Sequence, residues 1–171
     1  MSSIRRLLCA ALAALSLLPG LAAAEPSAIY LVRHGEKLAG QDPELSPRGL
    51  ERARHVAAIL HRAGITAIFS TPTARTQQTA APLAQRLGVT VQLYDPRAPL
   101  ALVEQVKALH GAVLVVGHSN TLPELVRMFG GAPGADIGDD EYARLYQLLR
   151  GPDGQMKTIL LGSPPLDGAT L

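Results

Sequence analysis

At 171 residues, 47% hydrophobic and 18% charged, the chain suits one globular domain. Its formal charge of +2 comes from Arg5 and Arg6: without them the 16 Lys and Arg fall to match the 14 Asp and Glu, which argues against a nucleic-acid partner. The only cysteine, Cys9, lies in the same N-terminal stretch, so the remainder has no disulfide and needs an ordinary core.

The first stretch sets Arg5 and Arg6 before an apolar run from Leu7 to Leu18, broken by Pro19 and Gly20 and followed by Ala22, Ala23 and Ala24. These are the parts of a secretory signal peptide, with cleavage expected after Ala24. The run is well short of the roughly 20 residues that span a bilayer, so no membrane span is expected after its removal. The expected organisation is a signal peptide over 1–24, one domain over 25–161 and a loose tail over 162–171, in a periplasmic or secreted protein. Four segments then read as buried strands: Ala28 to Val32, Thr66 to Ser70, Val89 to Tyr94 and Ala112 to Val116. Helical patterns alternate with them. Pro47 to Ala63 carries Leu50, Ala53, Arg54, Ala57 and Leu60 at helical spacing, with Ser46 as N-cap and Gly64 as stop. Thr73 to Leu87 ends at Gly88, and Pro82 should bend it or limit its regular bonding. Leu100 to Leu109 and Thr121 to Phe129 close at His110-Gly111 and Gly130-Gly131. After a loop at 130–141, two strands, Arg144 to Leu149 and Met156 to Leu161, flank the turn GPDG. The alternation predicts an α/β fold with a mostly parallel central sheet.

In such a sheet ligands sit outside the carboxyl ends of the strands. The first strand runs into Arg33-His34-Gly35-Glu36-Lys37, the second into a helix start carrying Arg75, and the fourth into Gly117-His118-Ser119-Asn120. Singly, Arg33 reads as a solvated strand-end charge, His34 as a satisfied core histidine and Arg75 as a charge in a first helical turn. Jointly they fit an anion better. An arginine at a helix N-terminus opposes the macrodipole unless it and the helix amides share an anion. Guanidinium forks match phosphate oxygens, and Gly35 and Gly117 would let the backbone approach a ligand. The cluster reads as a phosphate cradle with His34 as nucleophile. A metal site is disfavoured, because the arginines would repel a cation. His55, His61 and His110 read as surface residues.

LVRHGEK at 31–37, LSPRGLERA at 45–53, FSTPTARTQQTA at 69–80 and VLVVGHSN at 113–120, in that order, resemble the histidine phosphatase superfamily, also called phosphoglycerate mutase-like. The chain looks like a small, compact, exported bacterial member. The resemblance implies a three-layer sandwich and a metal-independent phosphatase with no cofactor. It implies that His34 attacks phosphorus and becomes a phosphohistidine that water hydrolyses, while Arg33, Arg75 and His118 hold the phosphoryl oxygens. His34 would be neutral, its pKa lowered by surrounding cations, and His118 would be better protonated. The general acid departs from the family pattern. Ser119 stands where one branch carries an aspartate, which leaves Asp95 as the nearest candidate, with Glu36 more suited to orienting its neighbours. Short loops imply an open cleft, which favours a phosphatase over a mutase. The implied substrates are phosphomonoesters, among them sugar phosphates or envelope components. A non-catalytic phosphate-binding module and a protein phosphohistidine phosphatase are the alternatives.

Overall fold

The computed structural model describes residues 25–163. The signal peptide expected over 1–24, and the tail beyond Ser163, lie outside the described residues. In chain order the elements are β1 (Ala28–Arg33), α1 (Pro47–Leu60), β2 (Ile65–Ser70), α2 (Ala74–Leu87), β3 (Val91–Leu93), α3 (Pro99–Lys107), β4 (Ala112–Gly117), α4 (Leu122–Met128), β5 (Arg144–Arg150) and β6 (Met156–Gly162). They build one six-stranded sheet in the order β3-β2-β4-β1-β5-β6. The first four of that order run parallel, and β5 and β6 are antiparallel additions. The predicted α/β class with a mostly parallel central sheet holds.

The layering follows from strand periodicity. Alternate residues of a strand face opposite sides of the sheet. Ile29 and Leu31 of β1 join Val113 and Val115 of β4 in a core with Leu102, Val103 and Val106 of α3 and Leu122, Leu125 and Val126 of α4. Tyr30 and Val32 join Leu114 and Val116 in a second core with Val56, Ala57 and Leu60 of α1 and Leu83 and Ala84 of α2. Strands that are apolar on both faces must be covered on both faces, since each fully buried Val, Leu or Ile contributes about 1.5–3 kcal/mol. The result is three layers.

The winding reverses between the two middle strands. β1 leaves through α1 on one side, and β4 leaves through α4 on the other. Their carboxyl ends therefore frame a crevice, the usual place for a ligand in an open α/β sheet. Register sets what meets there: Arg33 lies opposite Gly117, and the His34 amide donates to the Gly117 carbonyl at 3.0 Å.

Several local expectations are corrected. β3 is a three-residue edge strand with Gln92 and Leu93 exposed, where a longer buried strand had been expected; of that segment only Tyr94 is buried. Helix α1 ends at Leu60 with His61 as C-cap, and Gly64 instead makes a left-handed turn (φ 70°) into β2. The buried stripe of α1 is Gly49, Arg52, Ala53, Val56, Ala57 and Leu60, while Leu50 and Arg54 are exposed. Helix α2 continues through Pro82 to Leu87 and closes on Gly88 in the left-handed conformation. At the far end β6 includes Gly162, and Ser163 is buried, so the ordered domain runs past the expected start of the tail.

Candidate active site

Four segments meet at the crevice. Arg33 and His34 come from the end of β1, Thr71 from the end of β2, Arg75 from the first turn of α2, and His118 from the end of β4. Arg33, His34, Arg75 and His118 line one cleft of about 550 Å³ with Lys37, Arg97, Ser119 and Asn120. The four predicted phosphate-handling residues are thus together.

His34 is buried, and its Nδ1 lies 2.7 Å from the Gly35 carbonyl. A carbonyl only accepts, so Nδ1 carries the hydrogen and Nε2 keeps its lone pair. Its pKa is lowered to about 4, first by burial and then by charge repulsion from His118, Arg75 and Arg33. The neutral state expected of His34 follows, but desolvation rather than the cation ring is the main cause.

His118 departs from expectation. Its pKa is also lowered to about 4, by burial first and then by Arg75 and Arg33. Arg75 Nη2 donates toward His118 Nδ1 at 3.5 Å, which leaves Nε2 carrying the hydrogen and donating to Thr71 Oγ1 at 3.0 Å. Without an anion, His118 is neutral at pH 7. A phosphoryl dianion in the cleft would push both histidines back toward protonation.

The two arginines are held through their Nη nitrogens only. Arg33 is 6% exposed, and its Nη1 donates to the carbonyls of Gly138, Asp139 and Glu141 at 2.8, 2.9 and 3.0 Å. Arg75 Nη1 reaches Asp42 Oδ1 at 3.4 Å. The Nε atoms of both are buried without a hydrogen-bond partner. A buried guanidinium N–H left unpaired is costly, and an oxyanion accepting from both would relieve it.

The anion expected at the α2 N-terminus is already in place, and it is Asp42. Its carboxylate accepts from the Ala74 amide at 3.1 and 3.3 Å and pairs with Arg75, so it caps a helix whose Thr73 N-cap side chain bonds Thr76 rather than a first-turn amide.

Gly35 and Gly117 serve packing rather than ligand approach. A Cβ at Gly35 would stand 2.7 Å from the Gly49 carbonyl oxygen and 3.0 Å from its Cα; one at Gly49 would collide with the Glu36 carbonyl. These two glycines let α1 sit directly on the His34 loop. A Cβ at Gly117 would meet the Tyr94 hydroxyl at 3.0 Å. The Gly35 amide donates to Thr79 Oγ1 at 3.0 Å, which ties the same loop to α2.

Glu36 orients its neighbours, as its position beside His34 suggested. Arg52, 4% exposed, grips both Glu36 oxygens, at 2.8 Å through Nε and at 2.5 Å through Nη2, and Arg48 pairs with it at 3.2 Å. Arg52 also donates to Ser163. The pairing with Arg52 and Arg48 holds the Glu36 pKa down against burial, which would raise it.

Asp95 is not brought to the cleft. It is exposed, its carboxylate accepts from Arg97 at 2.9–3.3 Å, and that pairing lowers its pKa. A carboxylate held ionised and turned to its own loop is poorly placed to protonate a leaving group. No carboxylate is among the residues lining the cleft. Among the other histidines His110 is exposed, as expected, while His55 and His61 are half-buried.

Thr71, Thr79, Asp42, Arg52 and Tyr142 were not singled out from sequence. Tyr142 lies 4.1 Å below the Arg33 guanidinium and 6.0 Å from the His34 ring. An Asp-Pro pair at 42–43 and three threonines at 71, 73 and 76 are turn and cap signals that could have pointed to the α2 entrance.

Residues 29–96 match the family model described as the histidine phosphatase superfamily (branch 1). That stretch holds Arg33, His34 and Arg75 and ends before His118. Two curated relatives, each named "Probable phosphoglycerate mutase GpmB", from Enterobacter sp. and Yersinia pseudotuberculosis, are 42% identical over 77 residues. The match covers 40% of this chain and 35% of either relative, so the chain spans about a third of the length of the curated relatives it matches. Among solved structures, a candidate phosphohistidine phosphatase, SixA, from Agrobacterium tumefaciens superposes with a TM-score of 0.63 at 22% identity, over 80% of this chain and 99% of that one. A mycobacterial glucosyl-3-phosphoglycerate phosphatase superposes at 0.60 and 15%, over 80% and 97%. At those identities the likeness is one of fold. Residues 29–96 are thus similar in sequence to the histidine phosphatase superfamily, and the described domain shares the fold of these solved structures.

Proposed function

We propose that the protein is a phosphatase that hydrolyses phosphomonoesters through a phosphohistidine on His34. The observation that carries the reading is the pair of guanidinium groups, Arg33 and Arg75, that line one cleft, each with an Nε left without a partner, around a neutral His34 whose Nε2 is free. Nε2 attacks phosphorus as the bond to the leaving oxygen breaks, and that oxygen takes a proton from solvent. Water then attacks phosphorus, the P–N bond breaks, and His34 returns with release of inorganic phosphate. Arg33, Arg75 and His118 neutralise the charge on the equatorial oxygens, which is most of what phosphoryl transfer requires. The cleft lining carries no acid. Substrates whose leaving group departs without protonation are therefore expected to turn over fastest, and exposed Lys37, Arg97 and Asn120 at the rim favour release to water over the sheltered intermediate a mutase needs. The substrate is placed among phosphorylated small molecules or envelope components, because the sequence of residues 1–24 supports export.

Purified protein should release phosphate from p-nitrophenyl phosphate without added metal, and brief exposure to substrate should leave acid-labile, base-stable phosphate on His34. The His34→Ala variant should stay folded and lose both. Full activity in that variant would end this reading. The missing acid also favours a second reading, a phosphate-binding module without turnover, which predicts phosphate binding with no labelling on any substrate. Phosphoramidate substrates, whose leaving nitrogen protonates readily, test the phosphohistidine phosphatase alternative. A leader that directs export should place the protein in the periplasmic or secreted fraction.

A further inference from the structure

We propose that Tyr142 is a positioning residue: it and the 138–141 carbonyls fix Arg33 so that one edge of its guanidinium is presented to the phosphoryl group. The inference rests on the phosphatase reading above.

Arg33 is buried, yet its partners among the described residues include no carboxylate. A buried cation normally requires paired charge. Here three backbone carbonyls take one end, Nη1, and the Tyr142 ring takes the face of the guanidinium at 4.1 Å. Nη1 fixes one corner of the group and the ring bears on its central carbon. What remains is the edge bearing Nε, which is buried and unpartnered. A carboxylate partner would have neutralised Arg33 and competed with a phosphoryl group for it; carbonyls and a π face hold it while leaving its full charge.

The support is itself anchored. Arg144 on β5 donates to the Ala135 carbonyl at 2.6 Å and pairs with Glu141 at 2.6 Å. Tyr146, also on β5, donates to the Pro133 carbonyl at 3.0 Å. Segment 133–142 is therefore held by the sheet at one side and holds Arg33 at the other. Tyr142 also stands 6.0 Å from the His34 ring at 55°, so one side chain borders both the nucleophile and the arginine beside it.

The comparison that tests this is Tyr142→Phe against Tyr142→Leu, with Tyr142→Met in place of leucine should that variant melt early. Phenylalanine keeps the ring face, and leucine keeps bulk without it. Steady-state kinetics on p-nitrophenyl phosphate should show the phenylalanine variant within twofold of wild type. The leucine variant should lose about tenfold in kcat with KM changed less than twofold, because misorientation is felt in the transition state. Orthovanadate, a five-coordinate mimic of that state, should bind the leucine variant about tenfold more weakly, and inorganic phosphate about twofold. Equal kcat in the two variants, or equal losses of vanadate and phosphate binding, would overturn the positioning role while leaving the phosphatase reading intact. A wild-type protein that neither turns over substrate nor binds vanadate would remove both.

Discussion

The floor of the cleft and its rim are built by opposite means. On the floor, His34 and Arg33 are buried and held by main-chain carbonyls, those of Gly35 and of 138–141. On the rim, Asp95 and Arg97 are exposed and hold each other. These backbone partners belong to loops that are themselves tied to the sheet, so they fix geometry. An exposed ion pair is worth at most about 1 kcal/mol and gives way to solvent and salt. Precision is therefore concentrated at the floor, and the rim is left loose.

The largest expected effects break the floor. Arg75→Ala should lower kcat on p-nitrophenyl phosphate by about 10²–10³-fold, as loss of one preorganised donor does elsewhere, with melting little changed. A fall under tenfold would mean that Arg75 is a surface cation. Next, Gly49→Ala should destabilise the fold by about 3 kcal/mol in urea titration, because its Cβ meets the rigid Glu36 backbone. A change below about 1 kcal/mol would show that α1 can slide off the loop.

Acid should loosen the floor selectively. Both imidazoles have an ordinary pKa of 6.5 when unfolded and about 4 in the fold. Between those values the unfolded chain binds more protons, so this contribution is complete above pH 6.5 and lost as pH falls toward 4. Melting temperature measured from pH 7 to 4 should fall, and the fall should be shallower in His118→Asn. In kcat/KM the acid limb should lie below about pH 5, where His34 gains its proton. The smallest effect belongs to the rim: Asp95→Asn should change kcat less than threefold, for slow and fast leaving groups alike. A hundredfold loss confined to poor leaving groups would bring Asp95 back as the acid.

The floor was also the more legible part of the sequence. The apolar runs of β1 and β4 are buried on both faces, and Arg33 and His118 follow directly where those runs stop. Strand, chemistry and position all lie within a few consecutive residues. Edge strand β3 was misread because Val89, Val91 and Tyr94 have strand-like side chains, and nothing local tells an edge from a centre. Gly35 was taken for ligand clearance because its true neighbour, Gly49, lies across a turn. Tyr142 and Asp42 act on Arg33 and Arg75 from far along the chain, and only the fold supplies those meetings. The charge state of His118 escaped for a different reason. Sequence shows the cations near it, but the burial that dominates its titration belongs to the packed structure.

Arg52 joins Glu36, two residues past His34, to Ser163, just past the last strand. The knot ties nearly the first described segment to the last. A chain still being synthesised has β1 and the His34 loop early, but Arg52 lacks its second partner until β6 has docked and delivered Ser163. The loop beside His34 thus reaches its final wiring only as the sheet is completed, and the candidate site matures with the whole domain rather than ahead of it.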